Sequence, residues 1–210
     1  MPDPTHSSSL LGTAVTLGNL AIWLGLATAI GCVAFYWAAM LRAMRLAPAV
    51  EAAAGNGKTN GKSSGRSARV EDSRTERLGA WARRLYFLNG FFIVLGTAAL
   101  FTLILTQQYN VAYVHKNTNS ILPWGYRFAA FWSDQEGTFF LWALYNLLFG
   151  SVLIWRARQD ERWVMPFFSL INVSLFLLLT FMNPFWLTSA SEVREGLLGV
   201  GVSADQLTWL

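Results

Sequence analysis

The sequence predicts an all-α integral membrane protein with four transmembrane helices and a flexible basic cytoplasmic loop. Three observations predict it. Of the 210 residues, 54% are hydrophobic and 13% charged, about half the charge of an ordinary soluble domain. The apolar residues fall in long blocks almost free of charge, each reaching the roughly 20 residues that carry a helix across a bilayer. Ten tryptophans and fifteen phenylalanines supply the aromatic excess of chains that sit at membrane interfaces.

Residues 1–16 read as an external N-terminal tail, polar and carrying His6. Residues 17–41 hold no charge and read as the first transmembrane helix. No basic residue precedes this block, and Arg42 and Arg45 follow it at once. A secretory signal has the opposite order, so the block is expected to remain as an anchor. Gly18, Gly25 and Gly31, like Gly90 and Gly96 in the next block, either let helices approach closely or are simply tolerated in lipid. Cys32 lies mid-helix. As the single cysteine it forms no disulfide within the chain and reads as a small buried side chain.

Residues 42–84 form the basic cytoplasmic loop. Within them, "EAAAGNGKTNGKSSGRSARVEDSRTER" shows no apolar periodicity and reads as flexible. The loop holds ten Lys and Arg, and the short connection 156–162 adds Arg156, Arg158 and Arg162, so thirteen of the sixteen basic residues fall on one side. The positive-inside rule places that side in the cytoplasm and both termini outside, in a cytoplasmic (inner) membrane. The net charge of +4 therefore serves topology and attraction to lipid headgroups. Nucleic acid is not an expected partner, because only Trp81 accompanies the basic run; the lipid bilayer is.

Three further blocks follow, at 85–114, 128–155 and 163–191, largely within the region 85–186. The first and third are free of charge. The middle one carries Asp134 and Glu136. Entering the membrane near Arg127, that helix would hold Glu136 roughly 13 Å along its axis. There the acids are either outer-leaflet carboxylates favoured by a helix N-terminus or part of a polar patch facing another helix or a cavity. Trp132, Glu136 and Phe139, at i, i+4 and i+7, would share one face. Between the second and third helices runs an external segment, "QQYNVAYVHKNTNSILPWGYR", and residues 187–210 are expected as an external C-terminal tail with Trp209 at the interface. His6 and His115, the only histidines, have no companion at ligand spacing, and no nucleophile elbow, phosphate loop or metal motif appears. No metal site is expected.

The stretch "YNVAYVHKNTNSILPWGYRFAAFWSDQEGTFFLWAL" resembles the N-terminal part of the CcmF family of cytochrome c maturation proteins. Tyr109, Val111, Tyr113, Val114, Thr118, Asn119, Leu122, Pro123 and Tyr126 fit the family's external pattern. Trp132, Glu136, Gly137, Leu141 and Trp142 fit its W-x-x-x-E-G-S-x-x-L-W motif, with Thr138 in place of Ser. Asn183, Pro184 and Phe185 fit the N-P-F that ends its fourth helix. Order and spacing agree over 85–186.

The resemblance implies a role in cytochrome c biogenesis, as a membrane subunit of a haem lyase system that attaches haem to apocytochrome c. Its implied partners are a haem chaperone and the thiol proteins that present the apocytochrome. The chain departs from the family after N-P-F. The G-L-N-P segment, the tryptophan-rich WWD segment and the later haem-ligating histidines are absent from the 210 residues. The expectation is a split or truncated form that does not ligate haem alone and works beside a companion chain carrying the rest, with Trp132, Glu136, Gly137 and Trp142, and in the external loop Tyr113, Asn119 and Pro123, as family-motif positions. No catalytic residue can be assigned. A structural subunit of a respiratory or other membrane complex is the alternative. A transporter is the weakest reading, since neither a midplane charge nor an inverted repeat is visible.

Overall fold

The computed structural model describes the backbone of residues 4–55, 61–119, 121–156 and 160–188, and the side chains of 9–45, 73–119, 121–156 and 160–188. The named elements of these segments are all helical: α1 (Pro4–Gly55), α2 (Gly61–Leu105), α3 (Ala112–Asn117), α4 (Trp124–Ala129), a single 3-10 turn (Ala130–Trp132), α5 (Gln135–Arg156) and α6 (Glu161–Phe181). Four of them contain stretches long and apolar enough to cross a membrane: Ser9–Arg45, Ser73–Leu105, Gln135–Arg156 and Glu161–Phe181. The protein is a multi-pass membrane protein. His6 lies on the α1 backbone with its side chain outside the described residues, as does the whole tail 189–210 with Trp209.

α1 packs along α2 and α6, and α5 packs on α6 and α2. Small residues make the close approaches. A methyl group on Gly18 would overlap the Phe185 ring, and one on Gly25 would overlap Phe176. The same holds for Gly96 against Phe140 and for Gly150 against the Tyr86 hydroxyl. Between helices in lipid, such interdigitation replaces the hydrophobic drive that water would supply. Of the two readings of these glycines, close approach is the one realised at Gly18, Gly25 and Gly96. Cys32 is buried, its thiol 3.5 Å from the Ala82 carbonyl.

Three expectations are corrected. First, the loop over 42–84 was expected to be flexible; instead α1 continues through Gly55 and α2 begins at Gly61, residues 56–60 lying outside the described set. A membrane span has already met the cost of helix nucleation, so a flanking Ala-, Glu- and Arg-rich segment need only extend it. Second, the second span ends at Leu105, well inside the charge-free block 85–114 and just before the external segment that opens at Gln107. Gln107 takes a left-handed backbone (φ 53), and the N–H groups of Gln107 and Gln108 return to the carbonyls of Ile104 (3.2 Å) and Leu103 (3.0 Å). This is a Schellman-type stop without glycine, and it leaves no sequence signal. Third, the third span starts at Gln135, because 124–132 is spent on α4 and the 3-10 turn.

Residues 106–119 and 121–134 thus form a structured cap over one end of the bundle, opposite the end that carries Arg42, Arg45, Arg83, Arg84, Arg156 and Arg162. Rings fasten the cap to α2. Phe101 stacks on Phe131 at 4.3 Å and 15° and meets Phe128 at 4.9 Å. A backbone bridge pairs Val111 with Leu187. In it, Ala112 N–H donates to Trp186 C=O (2.9 Å) and Thr188 N–H to Asn110 C=O (2.8 Å). The bridge ties the cap to the segment that leaves α6.

Candidate functional site

The family-motif residues converge where α5 leaves the cap. Asp134 sits immediately before the helix. Its carbonyl accepts from Thr138 N–H (3.1 Å) and its carboxylate from Gln135 N–H (2.8 Å), so it covers amides that the first helical turn leaves without partners. Lys116, from α3, forms an ion pair with the same carboxylate. The bond from Lys116, and after it the bond from Gln135 N–H, holds Asp134 below the ordinary carboxylate value. Reciprocally, Asp134 raises Lys116.

Gly137 is wedged against the cap backbone. A Cβ there would lie far inside contact distance of the Phe131 carbonyl and the Tyr113 hydroxyl. That hydroxyl is buried and donates to the carbonyls of Phe131 (2.8 Å) and Ala130 (3.1 Å); burial also pushes the phenol above its ordinary range. Tyr113 and Gly137, 24 positions apart, therefore form one lock that closes the 3-10 turn onto the start of α5. Only glycine leaves room for a backbone carbonyl at this distance.

Glu136 occupies the first turn of α5, not a position a third of the way down the span. Trp132 belongs to the 3-10 turn, so it does not share an α-helical face with Glu136 and Phe139. The apolar run from Phe128 onward reads as a continuous span; in the fold it is broken by the turn. One carboxylate oxygen of Glu136, Oε2, is enclosed and accepts no hydrogen bond. Glu136 is also one of the residues lining an open cleft of about 270 Å³, with Tyr113, Lys116, Asp134, Met182, Asn183 and Trp186 among the others. Asn183 and Pro184 of the N-P-F motif border it. Asn183 donates to Asn19 Oδ1 on α1 (2.6 Å) and accepts from Phe185 N–H (2.9 Å). Phe185 is buried against Gly18 and edge-on to Phe140 at 6.3 Å.

The remaining motif positions lie apart from the cleft. Trp142 is 60% exposed on the outer face of α5, as a side chain in contact with lipid would be. Pro123 is the residue before α4, its carbonyl accepting from Tyr126 and Arg127. Asn119 turns the chain, its carbonyl accepting from Leu122 N–H (3.0 Å). His115 is exposed on α3 and is not among the residues lining the cleft. Among the described residues no group of three His, Cys, Asp or Glu is arranged to hold a metal ion.

Two polar features escape a sequence reading that searches for charges within spans. At the basic end, Glu161 is buried, accepts from Tyr36 Oη (3.0 Å) and lies 3.2 Å from Arg83 Nε. The signal was present in the loop edge "RQDERW" but reads there as a solvated turn. Near the middle of the spans, Asn89 donates to Gly25 C=O (2.8 Å) and accepts from Asn172 Nδ2 (3.1 Å). One turn away, Tyr86 donates to the Asn146 carbonyl (2.7 Å). Asparagines inside apolar runs are the sequence signal for this layer.

No family model matches the chain. The cytochrome c-type biogenesis protein CcmF of Escherichia coli (strain K12) is 33% identical over 131 residues, 58% of this chain and 19% of its own length. CcmF of Pseudomonas fluorescens is 43% identical over 53 residues, 25% of this chain and 8% of its own length. The chain therefore spans less than a fifth of the length of these relatives. A solved structure, "Cytochrome c Heme Lyase CcmF", superposes with a TM-score of 0.61 at 20% identity, covering 82% of this chain and 24% of the solved one, which establishes a shared fold. The resemblance read from the motifs is borne out: the chain is CcmF-like over the part that matches.

Proposed function

We propose that this CcmF-like chain serves cytochrome c biogenesis as a membrane subunit of a haem lyase system, and that its four spans and cap are a docking scaffold. The observation that carries the reading is the sequence similarity to CcmF proteins, joined to the built roles of the motif residues. Tyr113 and Gly137 close the cap, and Asn183 and Phe185 join α6 to α1.

The orientation follows from charge. The basic end lies in the cytoplasm, and the cap lies on the outer side of the inner membrane, where haem is joined to apocytochrome. In this topology, with four spans, both termini belong on that same side.

Haem is implied by the family, but the described residues do not fit it. Haem iron takes its axial donor chiefly from His, Cys or Met. Cys32 is enclosed between helices, His115 is exposed on a six-residue helix outside the cleft, and Met182 has no imidazole among the residues lining the cleft with it. We assign haem ligation to the remainder of the lyase. The scaffold holds that remainder and the proteins that deliver haem and reduced apocytochrome in register at the outer face.

The test is genetic. Removal of the coding segment is expected to abolish covalent haem in c-type cytochromes, read by haem staining of denatured membranes, while b-type haem spectra stay unchanged. Normal c-type cytochromes in its absence would defeat the proposal and leave a structural subunit of another complex.

A further inference from the structure

We infer that the cleft beneath the cap seats a basic side chain of a partner protein, with Glu136 as its counter-ion. The inference deepens the scaffold reading and rests on it for the partner's context. Glu136 Oε2 is enclosed and receives no donor. An unpaired carboxylate oxygen withdrawn from water is costly, and the donors nearby are committed elsewhere. Lys116 pairs with Asp134. Tyr113 Oη donates to the Ala130 and Phe131 carbonyls, and Asn183 Nδ2 donates to Asn19. With Lys116 and Asp134 cancelling, the cleft keeps one net negative charge, on Glu136.

The rest of the lining fits the remainder of a long cationic side chain. Phe181 and Trp186 line the cleft and are 72% and 64% exposed. An aromatic face beside a carboxylate suits a guanidinium or an ammonium with its aliphatic stem. The cleft lies beyond the ends of the spans, between the last turn of α6 and the first turn of α5, where a segment of another protein can reach it. The opening of about 270 Å³ admits one such side chain.

The experiment places a photo-crosslinking benzoylphenylalanine at Phe181 in the full chain in its native membranes and identifies the product by mass spectrometry. The expected product joins position 181 to a partner peptide with an Arg or Lys beside the crosslinked residue. Glu136→Gln is expected to lower the yield by about tenfold or more. Lys116→Gln, which leaves the cleft more acidic, is expected to maintain or raise it. A role for Glu136 limited to folding predicts that both variants lower the yield together with thermal stability in detergent, and that outcome overturns the inference. So does a yield indifferent to Glu136→Gln, a product that is only phosphatidylethanolamine, or a product within this chain that Arg194→Ala removes. If the partner crosslink depends on Glu136 but c-type cytochromes do not need the chain, the docking site stands and the biogenesis reading falls.

Discussion

Gly137 admits no side chain, because the Phe131 carbonyl and the Tyr113 hydroxyl already occupy the space a Cβ would take. Gly137→Ala must push the 3-10 turn away from α5 and loosen the Tyr113 bonds. The expected loss is about 1–3 kcal/mol, the cost of overpacking a filled site, read as a lowered unfolding midpoint in detergent. Tyr113→Phe keeps the ring but strips the Phe131 carbonyl of its donor, while the Ala130 carbonyl still accepts from Ser133, with an expected loss of about 1–2 kcal/mol. The Lys116–Asp134 pair predicts a pH dependence. Asp134 is depressed in the fold, so its contribution is present above the ordinary carboxylate value of 3.8 and fades as pH falls through the lower folded value. Lys116 is raised, so its contribution is present below 10.5 and fades only at higher pH. The stability difference between the wild type and Asp134→Asn should therefore be flat from about pH 5 to 9 and shrink below about pH 4. At this scale the motif residues were legible, but the depth of Glu136 was not. An apolar run cannot distinguish a span from a 3-10 turn that also buries aromatic rings, although Ser133 and Asp134, just ahead of Glu136, are a helix-start pattern that marks the true boundary.

The four spans meet through amides as well as glycines. Asn89, Asn146 and Asn172 are buried close to the middle of α2, α5 and α6, and Asn89 also reaches Gly25 on α1. Asn172→Leu removes the bond to Asn89 and leaves that amide oxygen without its donor. The expected cost is about 1–2 kcal/mol, since single interhelical hydrogen bonds average below 1 kcal/mol and the orphaned acceptor adds to it. The double variant Asn89→Leu/Asn172→Leu should cost less than the sum of the two single changes, in a double-mutant cycle followed by thermal unfolding. The existence of the helices was legible from block length. Their partners were not, because hydropathy is blind to which face of an all-apolar helix meets protein. The flanking helices at the basic end were missed for a different reason: Gly, Ser and Asn suggest a loop when read alone, but here the segment begins and ends on spans that have already nucleated.

For the molecule as a whole, the asymmetry of charge predicts its posture. Reporter fusions near residue 60 should show cytoplasmic activity, and fusions after Leu187 periplasmic activity. A periplasmic signal near residue 60 would invert the arrangement proposed above. The tertiary plan was partly readable from sequence, through the family resemblance and the N-P-F motif, but the closure of α6 on α1 depends on contacts across more than 150 positions, which no local pattern encodes.

That closure has a bearing on how the protein is made. The first span to enter the membrane carries the notches at Gly18 and Gly25; Phe176, which fills the second, comes from the last span, and Phe185, which fills the first, from the segment just after it. During synthesis α1 must wait in the bilayer, its notches covered only by lipid chains or by an insertion factor, until the ribosome has passed Phe185. The interval is a window of vulnerability in time rather than in space. A nascent chain stalled before α6 should leave α1 open to quality-control proteases, whereas one released after Phe185 should be protected.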